Sequence, residues 1–180
     1  DLNSGGVERG TLEVSKYLAN MGYRSMVMSN GGSMVEQLER EKGEHHKLGV
    51  GKKNFLVILT VFKLINFIKK NKIDVIHARS RLPAWVCYIA LKGIKKNIRP
   101  IFITTVHGPY SVNFYSSIMT KGDKVIVISE MIRQYVLNNY KIDKKKLSLN
   151  YRGVSSKFFP FNFKAPNNWS KNWYNDFPHT

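Results

Sequence analysis

Cysteine is almost absent from this sequence of 180 residues, in which Cys87 is the only one. No disulfide can form within the chain, and small secreted scaffolds that depend on several disulfides are excluded. A single unpaired cysteine is typical of a protein that resides in a reducing compartment. The sequence also lacks a basic segment followed by an apolar core and a small-residue cleavage site. We therefore expect no signal peptide and a cytoplasmic location.

Acidic residues are scarce as well, with 12 Asp and Glu against 29 Lys and Arg. The imbalance is greatest in residues 51–101, where twelve basic residues accompany Asp74 as the single acid. Such a block predicts a positive surface that attracts nucleic acid, anionic lipid or phosphorylated substrates. A solvated lysine-rich surface without a partner is the alternative. No nucleic-acid recognition motif accompanies the charge, so we expect no nucleic-acid partner.

The sequence has no apolar run that reaches the length needed to span a bilayer, about 20 residues. The strongest candidate is residues 55–62, which lie within a predicted helix over residues 54–72. A polar stripe recurs along that helix at helical spacing: Thr60, Lys63, Asn66 and Lys70. We therefore expect this helix to pack against a sheet instead of entering a membrane.

Strand-like apolar runs alternate with helical patterns along most of the chain. The strands read as continuous Val and Ile runs, which is typical of a parallel sheet covered by helices on both faces. Strands are predicted at residues 24–29, 45–50, 73–78, 100–106, 123–129 and 146–150, and the main helices at 7–22, 54–72, 82–97 and 130–139. Residues 31–43 are predicted to form a turn and a short helix. The pattern predicts a doubly wound, Rossmann-like α/β domain, with an irregular stretch after the fourth strand up to Ser117.

The apolar periodicity ends near Pro160, and the following residues are rich in Asn and Pro. We therefore predict one domain over residues 1–160 and a linker or tail over residues 161–180.

Two glycines, Gly5 and Gly6, precede the first predicted helix. They indicate a turn at which a ligand approaches the backbone closely. The start of the following helix presents backbone N–H groups at its positive end, which suits a phosphate or sugar group. Gly5 and Gly6 are therefore candidate substrate-binding residues.

No cofactor or metal site is indicated. A dinucleotide-binding fingerprint requires G-x-G-x-x-G and an acid at the end of the second strand. Here the glycines follow another pattern, and the run that ends at Ser29 continues into Asn30 without an acid. His45 and His46 are adjacent, but no cysteine or acid cluster lies near them at metal-ligand spacing.

Polar residues follow two of the predicted strands. His77, Arg79, Ser80 and Arg81 lie at the C-terminal end of one, and His107 follows the next. Open α/β sheets place their binding crevices at that end. We take His77 and Arg79 as candidate substrate-binding residues. A histidine at the position of His107 can donate a hydrogen bond to a substrate, although a lone histidine is more often structural.

The helix predicted over residues 82–97 carries an aromatic and basic stripe. Its members are Trp85, Tyr88, Lys92, Lys95 and the adjoining Lys96. Such a stripe is typical of a helix that lies on an anionic membrane surface. The alternative is that the two aromatic residues belong to the core and the lysines offset the helix dipole.

Four segments together resemble the N-terminal domain of glycosyltransferase family 4. These enzymes are retaining, use nucleotide sugars and have the two-domain GT-B fold, and they include bacterial capsule and lipopolysaccharide core glycosyltransferases. The segments follow the family's order from residue 4 to about 160: "SGGVERGTLEVSKYLANMGYRSMVMSNGG", "IDVIHARSRLPAW", "TTVHGPYSVNFYSSIMTKGDKVIVISEMI" and "YRGVSSKFFP".

The resemblance implies roles for particular residues. Gly5 and Gly6 match the glycine loop near the donor phosphates and the acceptor. His107 matches a histidine beside the transferred sugar, and we take it as the candidate catalytic residue. Arg152 matches the segment before the interdomain linker and is a candidate substrate-binding residue. The chain departs from the family around Arg152, with Tyr151 in place of a proline and Ser155 in place of an aspartate.

The resemblance also implies what a complete enzyme contains. The family has a strand before the glycine turn and a second Rossmann-like domain after the linker, which carries the donor-binding E-x7-E motif. The sequence here would lack both, and the fragment alone is expected to be inactive. The nucleotide sugar would bind mainly to the second domain without a divalent metal, and a glycan or lipid-linked acceptor would rest on this one.

A different function remains open for the same chain. It could be a peripheral membrane-binding α/β module without catalysis of its own, held on anionic lipid by its basic face. The two functions are compatible, because a lipid-linked acceptor would also bring a transferase to a membrane.

Overall fold

The computed structural model describes residues 1–48, 57–154, 156 and 160–162. The chain divides into two compact units, Asp1–Asn150 and Tyr151–Thr180. The helices and strands described below lie in the first unit. The boundary predicted at residue 160 stays a prediction, and most of the predicted tail lies outside the described residues.

Helices and strands alternate along the first unit, as the apolar pattern predicts. The strands are β1 (Met26–Ser29), β2 (Glu44–Lys47), β3 (Val75–Ala78), β4 (Ile101–Val106), β5 (Lys124–Val127) and β6 (Leu147–Leu149). The α-helices are α1 (Gly6–Asn20), α2 (Val35–Arg40), α3 (Val57–Asn71), α4 (Arg81–Lys92), α5 (Phe114–Ser117) and α6 (Glu130–Asn139). Single 3-10 turns lie at Lys96–Ile98, Ile118–Thr120 and Lys144–Lys146.

The strands form two sheets, and every pairing is parallel. β1 pairs with β2, while β3, β4, β5 and β6 pair side by side in chain order. Parallel neighbours need a crossover between them, which helices such as α4 and α6 supply. This arrangement confirms the predicted Rossmann-like α/β class.

The main core surrounds the four-stranded sheet. Val125 and Val127 of β5 are fully buried, and so are Ala84 and Ala90 of α4. A smaller core beside β1 and β2 consists of Leu2, Leu12 and Leu38 with their partly buried neighbours. At the end of β4 the consecutive residues Thr104, Thr105 and Val106 are all buried, so both faces of the strand are covered there.

Cys87 lies on α4 within the main core and is buried. Removal from water disfavours the thiolate, and this burial raises the pKa of its thiol to about 12. Cys87 is therefore a neutral packing residue at physiological pH.

Helix α3 packs one face against α4 and exposes the other. Val61, Leu64 and Ile68 are buried at helical spacing, as expected for a helix that covers a sheet. Lys63, Asn66 and Lys70 are exposed, but Thr60, predicted with them, is buried, because it lies four residues before Leu64 on the buried face. Among the described residues, no helix combines the length and apolarity of a bilayer span.

Two predicted boundaries are wrong. The helix predicted over residues 82–97 ends at Lys92, because Gly93 is its C-cap and the chain turns there. Lys95 and Lys96 therefore do not continue the face of Trp85. The stretch predicted to be irregular up to Ser117 contains α5, whose N-cap Asn113 accepts a hydrogen bond from the backbone N–H of Ser116.

His77 lies inside β3 and contacts the neighbouring strand β4. Its Nε2 is 2.6 Å from Oγ1 of Thr105, which is buried. Burial, with a smaller contribution from the positive charge of Arg79, lowers the pKa of His77 to about 4. The imidazole is therefore neutral at pH 7 and shares a hydrogen bond with the hydroxyl of Thr105.

We expect His77 to reduce stability in mild acid. An unfolded histidine binds a proton below pH 6.5, whereas folded His77 stays neutral down to about pH 4. Because the unfolded state binds the additional proton, the free energy of unfolding falls as the pH drops through this window. The His77 contribution between pH 7 and pH 5 is about 2 kcal/mol. Denaturant unfolding at both pH values should show a smaller loss for His77→Gln, and equal losses in the two proteins would refute the assignment.

Gly122 lies where the chain turns tightly into β5. A Cβ at this position would lie 2.5 Å from the carbonyl oxygen of Lys124 and 3.2 Å from that of Phe102. The adjacent Asp123 ties the turn to β4, because its carboxylate accepts the backbone N–H of Phe102 at 2.8 Å. A third crowding atom is Oγ1 of the buried Thr104, at 3.1 Å, whereas the two carbonyl oxygens belong to the backbone and cannot rotate away.

We expect Gly122→Ala to lower the free energy of unfolding by about 1–3 kcal/mol, because the turn must shift to admit a methyl group. Gly108→Ala is the matched control, since a Cβ at Gly108 meets nothing within 4 Å. Chemical denaturation of both variants measures the difference. Similar stabilities for the two variants would show that the turn yields easily.

Candidate functional site

Three neighbouring strands end at the same edge of the larger sheet. Ala78, the last residue of β3, pairs with Thr104 of β4, and Val106 of β4 pairs with Val127 of β5. The segments that follow these strands therefore leave the sheet side by side. Open α/β sheets bind ligands outside the carboxyl ends of their strands, and we call this region the binding edge.

Gly5 and Gly6 stand at the start of α1, as predicted. Gly5 is the N-cap, with extended backbone at φ −173°, and no side chain caps the helix there. A Cβ at Gly5 would collide with the carboxylate of Glu8. Glycine thus allows Glu8 to lie over the first turn, where a negative charge interacts favourably with the helix dipole. The first turn carries both this carboxylate and the backbone N–H groups.

Arg79 connects the segment after β3 to α1. Its Nη1 donates a hydrogen bond to the carbonyl oxygen of Gly10, at 3.4 Å. Gly10 is buried and lies one turn after Gly6 on the same helix. The structure therefore brings the predicted residue Arg79 to the helix that begins with the predicted glycines.

His77 is two residues away from Arg79 but lies within the strand. Its ring is engaged with Thr105, and its low pKa keeps it neutral. It contributes a polar contact between β3 and β4. Its role in substrate binding stays a prediction.

His107 directly follows β4 at the binding edge. The residue is half-buried, and both of its ring nitrogens are buried. Its backbone N–H donates to the phenol oxygen of Tyr110, which partly offsets the burial that raises the pKa of Tyr110. The histidine predicted to be catalytic is thus placed at the binding edge with its ring shielded from bulk water.

Arg81 also follows β3 at the binding edge, although it was not among the predicted site residues. Its guanidinium carbon lies 5.0 Å from the ring centroid of Tyr110 and 5.3 Å from that of Tyr115. Its Nη1 donates to Oγ of Ser116 at 3.2 Å. We call these four residues the Arg81 cluster. The sequence signal was the position of Arg81 just after β3, whereas its aromatic partners lie far along the chain.

Surrounding hydrogen bonds hold the Arg81 cluster in place. The hydroxyl of Tyr135 donates to the carbonyl oxygen of Tyr110. The Tyr140 hydroxyl lies 3.3 Å from that of Tyr135, and burial together with this contact raises the pKa of Tyr140 to about 12. Nε1 of Trp85 donates to the carbonyl oxygen of Tyr115 at 3.0 Å. These bonds fix the backbone on both sides of the Arg81 guanidinium.

Negative charge is scarce at the binding edge. Residues 75–122, which include the segments after β3 and β4, contain no Asp or Glu. Glu130 follows β5, but its carboxylate accepts hydrogen bonds from Gln134 at 2.7 Å and Arg133 at 3.2 Å. These contacts, led by that of Gln134, lower the pKa of Glu130. The positive charges of this edge therefore have few acidic neighbours.

The residues predicted to face a membrane divide into two groups. Trp85 and Tyr88 are half-buried on α4 and pack against the main core, which favours the core alternative for both. Lys92 is exposed at the end of α4, with Nζ 4.9 Å from the ring centroid of Tyr88. Lys95 and Lys96 are exposed beyond Gly93. The lysines are therefore available at the surface, whereas the aromatic residues are largely engaged.

His45 and His46 lie in β2 beside polar groups. Nε2 of His45 is 2.9 Å from Oγ of Ser29, and Nε2 of His46 is 3.5 Å from the carboxylate of Glu44. Within the part of the chain that the structure describes, no three His, Cys, Asp or Glu side chains are grouped as metal ligands would be.

Arg152 belongs to the second unit, where its side chain is exposed. Ser155, the departure that follows it in the sequence, lies outside the described residues. The substrate-binding role that the resemblance implies for Arg152 stays a prediction.

Comparison with solved structures identifies relatives with this architecture. A glycosyltransferase from Rickettsia africae ESF-5 is 37% identical, with a TM-score of 0.76, and the match covers 96% of this chain and 46% of that one. Anabaena Alr3699/HepE, in complex with UDP, is 15% identical, with a TM-score of 0.67 and the same coverage. A second structure of that protein, with UDP and glucose, gives a TM-score of 0.66 at 15% identity, again covering 96% and 46%. The chain thus spans slightly less than half the length of these proteins.

A search of curated proteins finds no significant match to the chain. A comparison with family models, in contrast, agrees with the structural one. The family model described as Glycosyltransferase Family 4 matches residues 4–158, which include the glycine turn, Arg79 and His107. Its match covers most of the chain, and the fold is that of the N-terminal domain of a GT-B enzyme. The chain belongs to glycosyltransferase family 4.

Proposed function

We propose that the protein containing this chain transfers a sugar from a nucleotide-sugar donor to a glycan or lipid-linked acceptor, with retention of configuration. The proposed role is synthesis of cell-envelope polysaccharide, such as capsule or lipopolysaccharide. The observation that carries the proposal is the placement of His107 and Arg79 at one edge of a parallel sheet, in a member of glycosyltransferase family 4. The UDP and glucose held by the Anabaena protein of the same fold support a nucleotide sugar as donor.

The chemistry can be assigned to particular groups. The bond between the sugar C1 and the diphosphate oxygen breaks, and C1 bonds to an acceptor hydroxyl oxygen. The hydroxyl proton passes to the departing diphosphate oxygen, so the products are the glycoside and the nucleoside diphosphate. His107 is proposed to hydrogen-bond the transferred sugar, because it follows β4 at the binding edge. Arg79 and the backbone N–H groups of the Gly5–Gly6 turn are proposed to face the departing diphosphate, which would displace the Glu8 carboxylate from the first turn. No cofactor and no metal ion takes part in this scheme.

The chain is proposed to form the acceptor side of the enzyme. It spans 46% of the Rickettsia glycosyltransferase, and we propose that the rest of a protein of that length holds most of the nucleotide, as the family resemblance implies. Residues 1–180 alone should therefore show little or no transfer, and activity should appear when the remaining half is supplied.

We expect His107→Ala to lower kcat for sugar transfer by about 100-fold, because a positioned hydrogen bond to the transferring group is lost. The assay uses the protein expressed from its whole reading frame and follows nucleoside diphosphate release from a panel of nucleotide sugars. His45→Ala serves as the matched control, since His45 lies in β2 and bonds to Ser29. An unchanged kcat for His107→Ala would overturn its role. Absence of turnover with every nucleotide sugar would overturn the proposed reaction.

A second candidate function is attachment to the inner face of the cell membrane. The observation in its favour is that Lys92, Lys95 and Lys96 are exposed and lie close in sequence to Ile89 and Ile98, which are also exposed. Basic side chains bind anionic lipid, and apolar side chains beside them enter the headgroup region. The localisation proposed is therefore cytoplasmic and peripheral at the membrane.

We expect simultaneous reversal of Lys92, Lys95 and Lys96 to Glu to abolish sedimentation with vesicles that contain phosphatidylglycerol. The matched control reverses Lys144, Lys145 and Lys146, which lowers the net charge by the same amount on another exposed segment. Each lysine near an anionic surface contributes about 1 kcal/mol, so the first variant should bind at least tenfold more weakly than the control. Equal binding by the two variants would show that general charge, and not this surface, attracts the lipid.

A further inference from the structure

The Arg81 cluster holds a cation at the binding edge in a defined orientation. The guanidinium lies near the rings of Tyr110 and Tyr115 and donates to Ser116, which is buried. Aromatic rings attract a cation through their electron-rich faces. The two ring contacts and the hydrogen bond to Ser116 therefore hold the guanidinium in place against the protein.

Among the described residues, the positive charge of Arg81 lies beside aromatic rings and forms no ion pair with a carboxylate. None of the ion pairs formed among the described residues includes Arg81. Its hydrogen bond goes to a neutral hydroxyl, and a guanidinium has five N–H donors. A cation held away from acidic partners retains its attraction for an external anion.

The position of Arg81 relates it to the proposed reaction. The phenol of Tyr110, whose ring contacts the guanidinium, receives the backbone N–H of His107. A single short segment therefore contacts both Arg81 and the histidine proposed to touch the transferred sugar. Arg79 extends instead to Gly10 of α1, so the two arginines that follow β3 have different neighbours.

We propose that Arg81 binds an anionic group, a phosphate or a carboxylate, of the acceptor that rests beside His107. This inference rests on the proposed function and specifies its acceptor class. A planar guanidinium binds these groups through paired hydrogen bonds, whereas a neutral sugar hydroxyl offers it a much weaker partner. The acceptor is therefore a sugar phosphate, an acidic sugar or a phosphate-bearing lipid, and not a neutral glycan.

The test compares matched neutral and anionic probes. Glucose and glucose 6-phosphate are titrated into the protein expressed from its whole reading frame, and heat or NMR shifts give the dissociation constants. The variants are Arg81→Gln, which removes the charge, and Arg81→Lys, which keeps the charge but loses the planar fork. The control is Arg133→Gln, which removes a positive charge from α6, where Arg133 pairs with Glu130.

We expect the natural protein and Arg133→Gln to bind glucose 6-phosphate at least tenfold more tightly than glucose. Arg81→Gln should bind the two probes equally, and Arg81→Lys should fall between them. If the natural protein binds both probes with equal affinity and shows no Arg81-dependent binding to anionic vesicles, the inference is overturned. Retention of the preference in Arg81→Gln overturns it in every case. Thermal unfolding of each variant identifies effects that come from loss of the fold.

Further arms separate the possible sources of the anion. If vesicles of phosphatidylcholine with phosphatidylglycerol bind in an Arg81-dependent way and glucose 6-phosphate does not, the anion is a lipid phosphate. Vesicle binding that Arg81→Gln leaves unchanged, together with no preference among the soluble probes, overturns the inference. If UDP abolishes the Arg81-dependent binding, the anion site belongs to the donor and the acceptor assignment is wrong.

Transfer assays distinguish this inference from the proposed function. Suppose that Arg81→Gln loses the anion preference but the natural protein turns over no nucleotide sugar. The anion site is then supported, and the proposed transferase reaction is wrong. Suppose instead that the natural protein transfers sugar and that Arg81→Gln keeps the anion preference. The transferase reaction is then supported, and the acceptor is recognised by residues other than Arg81.

Discussion

The parallel pairing of β3, β4 and β5 is the constraint on which the binding edge depends. Backbone hydrogen bonds align Ala78 with Thr104 and Val106 with Val127, so the segments after these strands emerge together. A slip of one residue in either pairing would send alternate side chains to the opposite face. Burial of apolar side chains on β5 maintains the register, because a slipped strand would expose them. The positions of Arg79 and His107 follow from this alignment.

A shortage of carboxylates shapes the chemistry of this edge. Where many proteins would pair an arginine with an acid, this chain places the guanidinium of Arg81 beside two tyrosine rings. Such a contact holds the cation while neutralising little of its charge. The same surroundings lower the pKa of His77, since burial and the charge of Arg79 keep its imidazole neutral. The segments after β3 and β4 therefore carry positive charge without acidic residues, supported by neutral polar groups.

The sequence predicted the order of strands and helices because their apolar periodicity is a local property. It also located α6, whose N-cap Ser129 accepts a hydrogen bond from Ile132. The end of α4 was missed because Gly93 interrupts a pattern that otherwise continues. The contacts of Arg81 were not predictable, since they join residues that come together only when the sheet forms. Likewise, nothing in the sequence distinguishes a Trp85 that packs partly against the core from one that faces lipid.

The buried thiol of Cys87 has a consequence for the surface of this chain. A nucleophilic or oxidisable sulfur must be exposed and partly ionised, and Cys87 is neither, with a pKa of about 12. No other cysteine occurs in the sequence. A cysteine introduced at an exposed position would therefore react with a maleimide probe against almost no background. Site-specific fluorescence or spin labelling of this chain therefore does not require the removal of a native cysteine.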